Sequence, residues 1–287
     1  MFLKDLTLTN FKNYTAAELK FSDKINCFVG NNGVGKTNIL DAIYYLSFCK
    51  SYFNSIDTQN INHECDFFTI HGKYQNQENS ADKVSCIQKR NHKKVFKLNS
   101  KTYTRLADHI GLFPLVMISP YDRDLINDGS ELRRKYIDGV ISQFDKVYLN
   151  ELISYNKSLL QRNTLLKQMF DDRYFDETAI EIWNDKLILH GKTIYVKSKE
   201  FLDKFNPLFE EYYSFLVGSK ESVKINYESQ LHDDSFSQLL DNSSEKDRIT
   251  RYTTCGIHKD DLTFLINGFP VKKYGSQGQQ KSFVIAI

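Results

Sequence analysis

A glycine-rich stretch near the N-terminus constrains this chain more than any other feature. Residues 30–37 read Gly-Asn-Asn-Gly-Val-Gly-Lys-Thr and lie between an apolar run, 25–29, and an amphipathic segment, 38–46. A strand, a glycine-rich turn and a helix in this order are the setting in which G-x-x-x-x-G-K-[ST] forms a phosphate-binding loop. Glycine tolerates positive φ and lets bare backbone approach an anion closely. The stretch therefore predicts a site for a nucleoside triphosphate.

The residues of this loop have distinct expected roles. Lys36 is expected to reach the β- and γ-phosphates, and the Thr37 hydroxyl is expected to bind Mg²⁺. Residues 25–29 are predicted to form the buried strand before the loop. The full set of predicted nucleotide-binding residues in the loop is Gly30, Asn31, Asn32, Gly33, Val34, Gly35, Lys36 and Thr37.

Composition limits the remaining function classes. A length of 287 residues fits two domains or one interrupted domain, and a net charge of +2 means that any DNA-binding surface must be a local patch. The five cysteines are scattered without a C-x-x-C pair, which indicates reduced thiols rather than a disulfide framework or a zinc site. No signal peptide or membrane-length apolar segment is evident, so we expect a cytoplasmic protein with no membrane partner.

The order of the predicted elements indicates an α/β chain interrupted by helices. Apolar alternation predicts strands, and apolar spacing of three to four residues predicts helices. Strands are predicted at residues 67–74, 84–88, 95–98, 114–119, 223–227 and 262–266, the first three as an antiparallel meander. Helices are predicted at residues 131–144, 148–169 and 177–216. Asn267-Gly268 predicts a hairpin turn.

A second glycine-rich segment lies close to the C-terminal end of the sequence. Residues 274–281 read Tyr-Gly-Ser-Gln-Gly-Gln-Gln-Lys and precede an apolar run. Small residues before a helix place backbone amides where an anion can bind, and Ser276 is also a favourable N-cap. From the residues alone, an anion site and an ordinary helix cap remain equally open.

The two glycine-rich segments together resemble the Walker A and signature motifs of ABC-type ATPases of the SMC family. Residues 10–14, 119–122, 132–134, 256–262 and 275–280 resemble, in order, the successive motifs of the RecF family. The resemblance covers essentially the whole chain. It implies an α/β fold, an ABC/SMC-type P-loop ATPase head with an inserted helical lobe. The implied parts are an ATPase lobe with the P-loop and meander (1–120), a helical lobe (121–218) and a return to the ATPase lobe (219–287).

The resemblance also implies a function. Members of the RecF family are ATP-dependent, DNA-binding recombination mediators that dimerise on DNA with ATP. They help to load recombinase at gaps in DNA repair and replication restart, together with RecR and RecO. ATP and Mg²⁺ are the implied cofactors, and duplex DNA with gap junctions and a second copy of the chain are further implied partners.

Several residues outside the loop acquire roles from the same resemblance. Lys12 and Asn13 lie where such proteins approach the nucleotide base. Ser276, Gly278 and Gln279 match the signature residues that contact the γ-phosphate held by the opposite subunit. A further segment, which includes His258, Lys259 and Asp260, is implied to lie beside the nucleotide and the subunit interface.

The sequence departs from the family pattern in two places. Tyr121 stands where the family usually has glutamate, which leaves the role of that loop open. The Walker B strand that the family carries after the signature is not found within residues 1–287, so we expect a sequence truncated at its C-terminus. Members of the family are weak, DNA-stimulated ATPases, whereas this chain is expected to hydrolyse ATP at the background rate, with no catalytic residue assigned.

Two alternative functions remain open from the sequence. A P-loop kinase of a small molecule would lack the signature segment, and another SMC-like head would carry long coiled-coil arms. The basic stretch with Lys89, Arg90, Lys93 and Lys94 has two interpretations of its own. It is either a contact for DNA phosphates or a solvated hairpin tip. The same two interpretations apply to Arg133, Arg134 and Lys135, the second being the solvated face of a helix.

Overall fold

The first unit of the structure is an antiparallel sheet with a helix packed on one face. The computed structural model describes residues 1–76, 80–218 and 221–287, with only the backbone at 120 and 121, and it divides into units 1–117 and 118–287. The described elements of the first unit are β1 (Phe2–Phe11), β2 (Tyr14–Lys20), α1 (Lys36–Phe48), β3 (Phe67–Gln75), β4 (Ala81–Lys89), β5 (Val95–Leu98) and β6 (Lys101–Thr102). Their sheet order is β2-β1-β3-β4-β5-β6.

Alternation along the strands gives this sheet one apolar face. Leu8 of β1 lies opposite Ile70 of β3 in the antiparallel register, and both side chains are fully buried. Helix α1 covers this face. A Cβ at Gly72 would lie 2.4 Å from Leu46 of α1, so the absence of a side chain at residue 72 lets the helix approach β3 closely.

The second unit combines long helices with a small sheet. Its described helices are α2 (Asp124–Asn127), α3 (Ser130–Phe144), α4 (Lys146–Asp171), α5 (Glu177–Val217), α6 (Phe236–Thr250), α7 (Val271–Tyr274) and α8 (Gln277–Ala286). Its described strands are β7 (Val223–Glu228), β8 (Asp261–Ile266) and β9 (Phe269–Pro270), which pair antiparallel in the order β7-β8-β9. Within the described residues, no helix is long and apolar enough to cross a membrane.

Residues from the predicted helical lobe and from the last segment share one core in the second unit. The Phe283 ring of α8 lies 4.7 Å from the ring of Phe209 in α5 and 5.2 Å from that of Phe264 in β8, measured between centroids. All three side chains are buried. Residues 121–218 and 219–287 therefore pack together, and the division of the chain into three lobes stays a prediction.

Most predicted elements are confirmed. The three long helices and the antiparallel meander occur within a few residues of their predicted bounds. Asn267 and Gly268 have φ values of 50° and 80°, as a tight two-residue hairpin requires.

Two predicted strands are wrong. Neither residues 25–29 nor residues 114–119 form a strand, and Ile25, Val29, Val116 and Ile118 are 90%, 85%, 67% and 55% exposed. An apolar run becomes a buried strand only where a neighbouring strand supplies hydrogen bonds to it. No strand in the described parts of the chain pairs with either run.

Candidate nucleotide-binding site

The glycine-rich loop has the backbone conformation that its sequence predicts. Gly30, Gly33 and Gly35 have φ values of 152°, 83° and 104°, all in the region that side chains disfavour. Gly35 is the N-cap of α1, and a Cβ there would lie 2.8 Å from side-chain atoms of both Asn13 and Tyr14. The loop therefore depends on glycine at residue 35 for both its dihedral angles and its packing.

The N-terminus of α1 remains open to an anion. No side chain caps it, and no acidic residue lies in its first turn. By contrast, Asp145, Asp176 and Ser235 cap α4, α5 and α6 with their side chains. The first amides of a helix lack partners within the helix and carry partial positive charge, so this end of α1 is suited to phosphate.

Lys36 and Thr37 stand at this helix end. The Lys36 ammonium donates to the carbonyl oxygens of Gly30 and Asn31, at 2.8 Å each, and so lies across the loop. Thr37 is exposed in the first turn of α1. A lysine over the loop and a hydroxyl beside it form the donor set that binds a polyphosphate and Mg²⁺ in P-loop proteins. The role of Thr37 as a Mg²⁺ ligand stays a prediction.

Asn13, in the turn between β1 and β2, makes hydrogen bonds to the loop and to α1. Its Nδ2 donates to the Gly33 carbonyl at 3.4 Å, and its Oδ1 accepts from Nδ2 of Asn38 at 2.7 Å. The structure thus brings Asn13 together with the loop, as predicted, but through contacts with the protein itself. Its role beside the base stays a prediction.

Lys12 has a partner that sequence analysis missed. Its ammonium lies 2.6 Å from Asp41, whose side chain is fully buried in α1. Asp41 also accepts from the Ser51 hydroxyl and the Tyr52 amide, at 2.7 Å each. The signal in the sequence was an aspartate on the apolar face of α1, flanked by buried Ile39 and Ala42. A buried carboxylate needs a cation, and Lys12 supplies it.

The signature segment forms the capped start of α8. Ser276 Oγ accepts from the Gln279 amide at 3.2 Å, and Oε1 of Gln279 accepts from the Ser276 amide at 2.8 Å. Nε2 of Gln279 donates to Glu221 at 2.9 Å. Ser276 and Gly278 are exposed. The interpretation as an ordinary N-cap is therefore confirmed, whereas a contact with nucleotide in trans stays a prediction; the segment lies in the second unit and the P-loop in the first.

The segment 256–262 is anchored to α3. Arg133 is buried and donates through Nε and Nη2 to both carboxylate oxygens of Asp261, at 2.7 and 2.9 Å. Arg134 donates to the main-chain carbonyl of Asp260. The prediction that Arg133 lies on a wet helix face is wrong, because the helix turns this side chain inward to a carboxylate. Lys135 is exposed, as predicted.

The motif at residues 119–122 is described in part. The Ser119 amide and hydroxyl both donate to the Asp122 carboxylate. The side chain of Tyr121 lies outside the described part of the chain, so the question of its role is not addressed by the structure.

The basic stretch divides between surface and interior. Lys89, Arg90 and Lys93 are exposed. Lys94 is directed inward and donates to Asp57 at 2.6 Å, to the Cys49 carbonyl at 2.5 Å and to the Tyr45 hydroxyl at 3.1 Å. Its side chain is 11% exposed. The prediction of Lys94 as a DNA contact is therefore wrong, because its ammonium is committed to this cluster.

The described residues offer no ready-made site for a structural metal. Across residues 1–76, 80–218 and 221–287, no three His, Cys, Asp or Glu side chains are placed to hold a metal ion. All five cysteines are free, and Cys49, Cys86 and Cys255 are buried. Burial raises the pKa of the Cys49 thiol to about 12, which makes it unreactive near neutral pH.

Comparison with known proteins decides the family. Residues 2–286 match the family model of the RecF/RecN/SMC N-terminal domain. The DNA replication and repair protein RecF of Flavobacterium johnsoniae is 50% identical over 287 residues, which is 100% of this chain and 80% of that protein. The chain belongs to the RecF family. RecF of Phocaeicola vulgatus is 48% identical over 100% of this chain and 76% of its own length.

Solved structures agree with this assignment. A structure of the recombination mediator protein RecF-ATPrS in the RecFOR pathway has a TM-score of 0.92 and 29% identity, covering 99% of this chain and 79% of its own. The RecF-ATP structure has the same score and identity and covers 99% and 78%. An Smc head bound to the C-winged helix domain of ScpA has a TM-score of 0.54 and 16% identity, covering 100% and 74%, and shows the fold alone. The ABC/SMC-type ATPase head predicted from the sequence is confirmed.

Proposed function

We propose that this chain binds ATP with Mg²⁺ at residues 30–37 and acts in DNA replication and repair. The observation that carries the proposal is the uncapped N-terminus of α1, reached through three glycines with positive φ and crossed by Lys36. This geometry offers backbone amides and one ammonium to a polyphosphate. The RecF structures described with ATP and with ATPrS support ATP as the nucleotide.

The proposed mechanism joins two copies of the chain through ATP. The P-loop of one copy holds the phosphates, and the signature of the other contacts the γ-phosphate. Capping α8 occupies a lone pair of Ser276 Oγ and leaves its hydroxyl proton available as a donor. Cap and phosphate contact are therefore compatible, and the capping box holds the hydroxyl in place before the partner arrives.

DNA binding is proposed to rest on local positive charge. Lys89, Arg90 and Lys93 are exposed at the turn between β4 and β5, while the net charge of the whole chain is only +2. Their contacts with phosphates would be salt-dependent and independent of base sequence. In this proposal the ATP-bound dimer on DNA works with RecO and RecR to load recombinase at gaps.

The nucleotide site is tested by titrating a fluorescent ATP analogue. Lys36→Ala removes the only ammonium within the loop, and we expect at least a tenfold loss of affinity. Lys192→Ala, at an exposed lysine of α5, is the matched control and should bind like the wild type. Equal affinity of the Lys36→Ala variant and the wild type would refute the assignment.

The trans contact is tested separately with variants at residue 276. Ser276→Asp keeps an N-cap acceptor but places a negative charge against the γ-phosphate of the partner. We expect normal ATP affinity and no ATP-dependent dimer in light scattering. Ser276→Thr keeps both the cap and the hydroxyl and should dimerise. A Ser276→Asp variant that still dimerises with ATP would contradict the proposed arrangement.

A further inference from the structure

Two helices of the second unit begin with the same capping box, in which a serine and a glutamine satisfy free amides at the helix start. In α6, the Ser235 hydroxyl oxygen accepts from the Gln238 amide, and Oε1 of Gln238 accepts from the Ser235 amide, at 3.3 Å each. In α8, Ser276 and Gln279 make the corresponding bonds at 3.2 and 2.8 Å. The two boxes differ in the use of the serine hydroxyl hydrogen.

The α6 box uses the hydroxyl hydrogen itself. Ser235 Oγ donates to Oε1 of Gln238 at 2.9 Å, so this oxygen accepts from both the hydroxyl and the amide of the serine. Within the described ranges, the side-chain nitrogen of Gln238 donates to no acceptor. Nothing in those ranges therefore draws the Gln238 amide away from the serine, and the Ser235 hydroxyl has no hydrogen left for a ligand.

The α8 box has a third member, Glu221. One carboxylate oxygen of Glu221 accepts from Nε2 of Gln279 at 2.9 Å, and the other accepts from the Tyr213 hydroxyl at 2.9 Å. An ionised carboxylate can only accept, so it fixes the side of the Gln279 amide on which the nitrogen lies. Oε1 of Gln279 then stays on the Ser276 amide. The Ser276 hydroxyl donates to no acceptor among the residues that the structure describes.

The Glu221 carboxylate is itself held in place. Its donor Tyr213 is fully buried in α5, with its ring 6.2 Å from that of Phe283, measured between centroids. The next residue, Ser222, donates its amide to Oδ1 of Asn267 at 3.0 Å, and its carbonyl accepts from the Asn267 amide at 2.7 Å. A carboxylate anchored in this way can fix the orientation of a neighbouring side chain, because little of its own freedom remains to be lost.

We propose that Glu221 is a positioning residue for the signature, which draws the Gln279 amide away from the Ser276 hydroxyl and keeps that hydroxyl ready for the γ-phosphate held by a second copy. Without this carboxylate, Gln279 would take the hydroxyl hydrogen as Gln238 does in the α6 box. The inference rests on the trans contact proposed above. It makes ATP-dependent dimerisation depend on a residue 58 positions before Gln279 in the sequence.

Dimerisation of variants at residue 221, measured by light scattering with ATP, tests the inference. Glu221→Ala should weaken the dimer at least about tenfold, because the hydroxyl hydrogen bond to phosphate is lost, and should leave the affinity for a fluorescent ATP analogue unchanged. Glu221→Gln keeps an acceptor for Gln279 and should dimerise like the wild type. So should the matched control Glu211→Ala, at an exposed glutamate of α5. Fluorescence of Trp183, in the second unit, verifies that each variant is folded.

A double variant distinguishes positioning from a purely structural tether. Met at residue 279 has no carbonyl oxygen with which to take the Ser276 hydroxyl hydrogen. In the Gln279→Met background, Glu221→Ala should therefore change the dimer dissociation constant by less than about twofold. The measurement uses protein concentrations high enough to populate the dimer of Gln279→Met. A structural tether would instead weaken the dimer equally in both backgrounds.

Side-chain amide NMR on the whole chain without nucleotide tests the geometry in the wild type. One Nε2 proton of Gln279 bonds a carboxylate, so it should resonate downfield of both Nε2 protons of Gln238, which serves as the internal reference. In Glu221→Ala this difference should disappear. Equal resonances in the wild type would overturn the inference without involving ATP.

The outcomes separate this inference from the function on which it rests. If the wild type dimerises with ATP and Ser276→Asp does not, the trans contact stands. Wild-type dimerisation by Glu221→Ala, equal weakening by Glu221→Gln and Glu221→Ala, or an equal effect in the Gln279→Met background would then each overturn the role of Glu221 alone. A wild type that forms no dimer with ATP would overturn the trans contact, and the inference with it.

Discussion

Lys12 has two possible roles, pairing with Asp41 beneath the P-loop or contact with the nucleotide, and substitutions can tell them apart. Its ammonium lies 2.6 Å from Asp41, with the two side chains 13% and 0% exposed. Lys12→Met leaves a buried carboxylate without its cation, a change that typically costs about 3–5 kcal/mol. Asp41 keeps donors from Ser51 and Tyr52. We therefore expect the free energy of unfolding of the first unit to fall by the lower figure, about 3 kcal/mol.

A double variant distinguishes the two roles. Asn at residue 41 keeps the shape and one acceptor of Asp41 but carries no charge. If the role of Lys12 is to pair with Asp41, the double variant Lys12→Met/Asp41→Asn should be at least about 1 kcal/mol more stable than the sum of the two single changes predicts. Any ATP affinity lost in Lys12→Met should then be regained in the double variant. If Lys12 contacts the nucleotide, ATP affinity stays low in the double variant.

Hydrogen exchange at the amides of α1, without nucleotide, measures the stability of the first unit. The one tryptophan, Trp183, lies in the second unit, so its fluorescence does not report on this change. Lys4→Met, at an exposed lysine of β1, is the control and should exchange like the wild type. Unchanged exchange in Lys12→Met would refute the reasoning about the buried pair.

Three further outcomes are expected. Residue 35 has a φ of 104°, and a Cβ there would lie 2.8 Å from neighbouring atoms, so Gly35→Ala should lower the free energy of unfolding by about 1–3 kcal/mol and abolish ATP binding. Gly139 lies in open space on α3, so Gly139→Ala should change neither quantity. Denaturation and ATP titration measure the two effects. Lys94→Met should lower the free energy of unfolding by about 1.5–3 kcal/mol, because Asp57 loses its partner. Lys93→Met should instead reduce the slope of log affinity for DNA against log salt concentration by up to about 0.9. If Lys94→Met changed the salt slope and Lys93→Met changed the stability, Lys94 would be a DNA contact after all. Burial raises the pKa of Asp260 from 3.8 to about 6. Between about pH 4 and pH 6 the folded state therefore keeps a proton that the unfolded state releases. As the pH rises from about 4 to about 6, the free energy of unfolding of the wild type should fall by up to about 3 kcal/mol relative to that of Asp260→Asn. Urea denaturation at several pH values measures this, and a difference between the two proteins that does not change with pH would contradict it.

The P-loop was predictable from the sequence because its requirements are local. Glycines at residues 30, 33 and 35 are needed for φ values that other residues disfavour, and the helix begins directly after them. The same holds for the hairpin at Asn267-Gly268 and for the Ser276 cap, where a few adjacent residues determine the geometry. The long helices were predictable because their apolar period is sustained over many turns.

Predictions failed where a distant partner decides the outcome. Residues 25–29 have the composition of a strand, but a strand exists only with a paired neighbour, which no described segment provides. Lys94 belongs to a run of charges in the sequence. Its ammonium is buried all the same, because it donates to Asp57 and to the Cys49 carbonyl, which are distant in the sequence. Arg133 was misplaced for the same reason, because its partner Asp261 lies 128 residues away.

The contacts around the loop bear on what nucleotide binding would cost. Asn13 joins the Gly33 carbonyl to Asn38 of α1, and Gly35 packs against Asn13, so the loop's shape is held by protein contacts. A ligand that meets a loop already in shape loses little free energy to ordering it. Binding in the proposed way would engage Lys36, whose ammonium would exchange two carbonyl oxygens for phosphate. Because full negative charges attract an ammonium more strongly than neutral carbonyls do, this exchange favours binding.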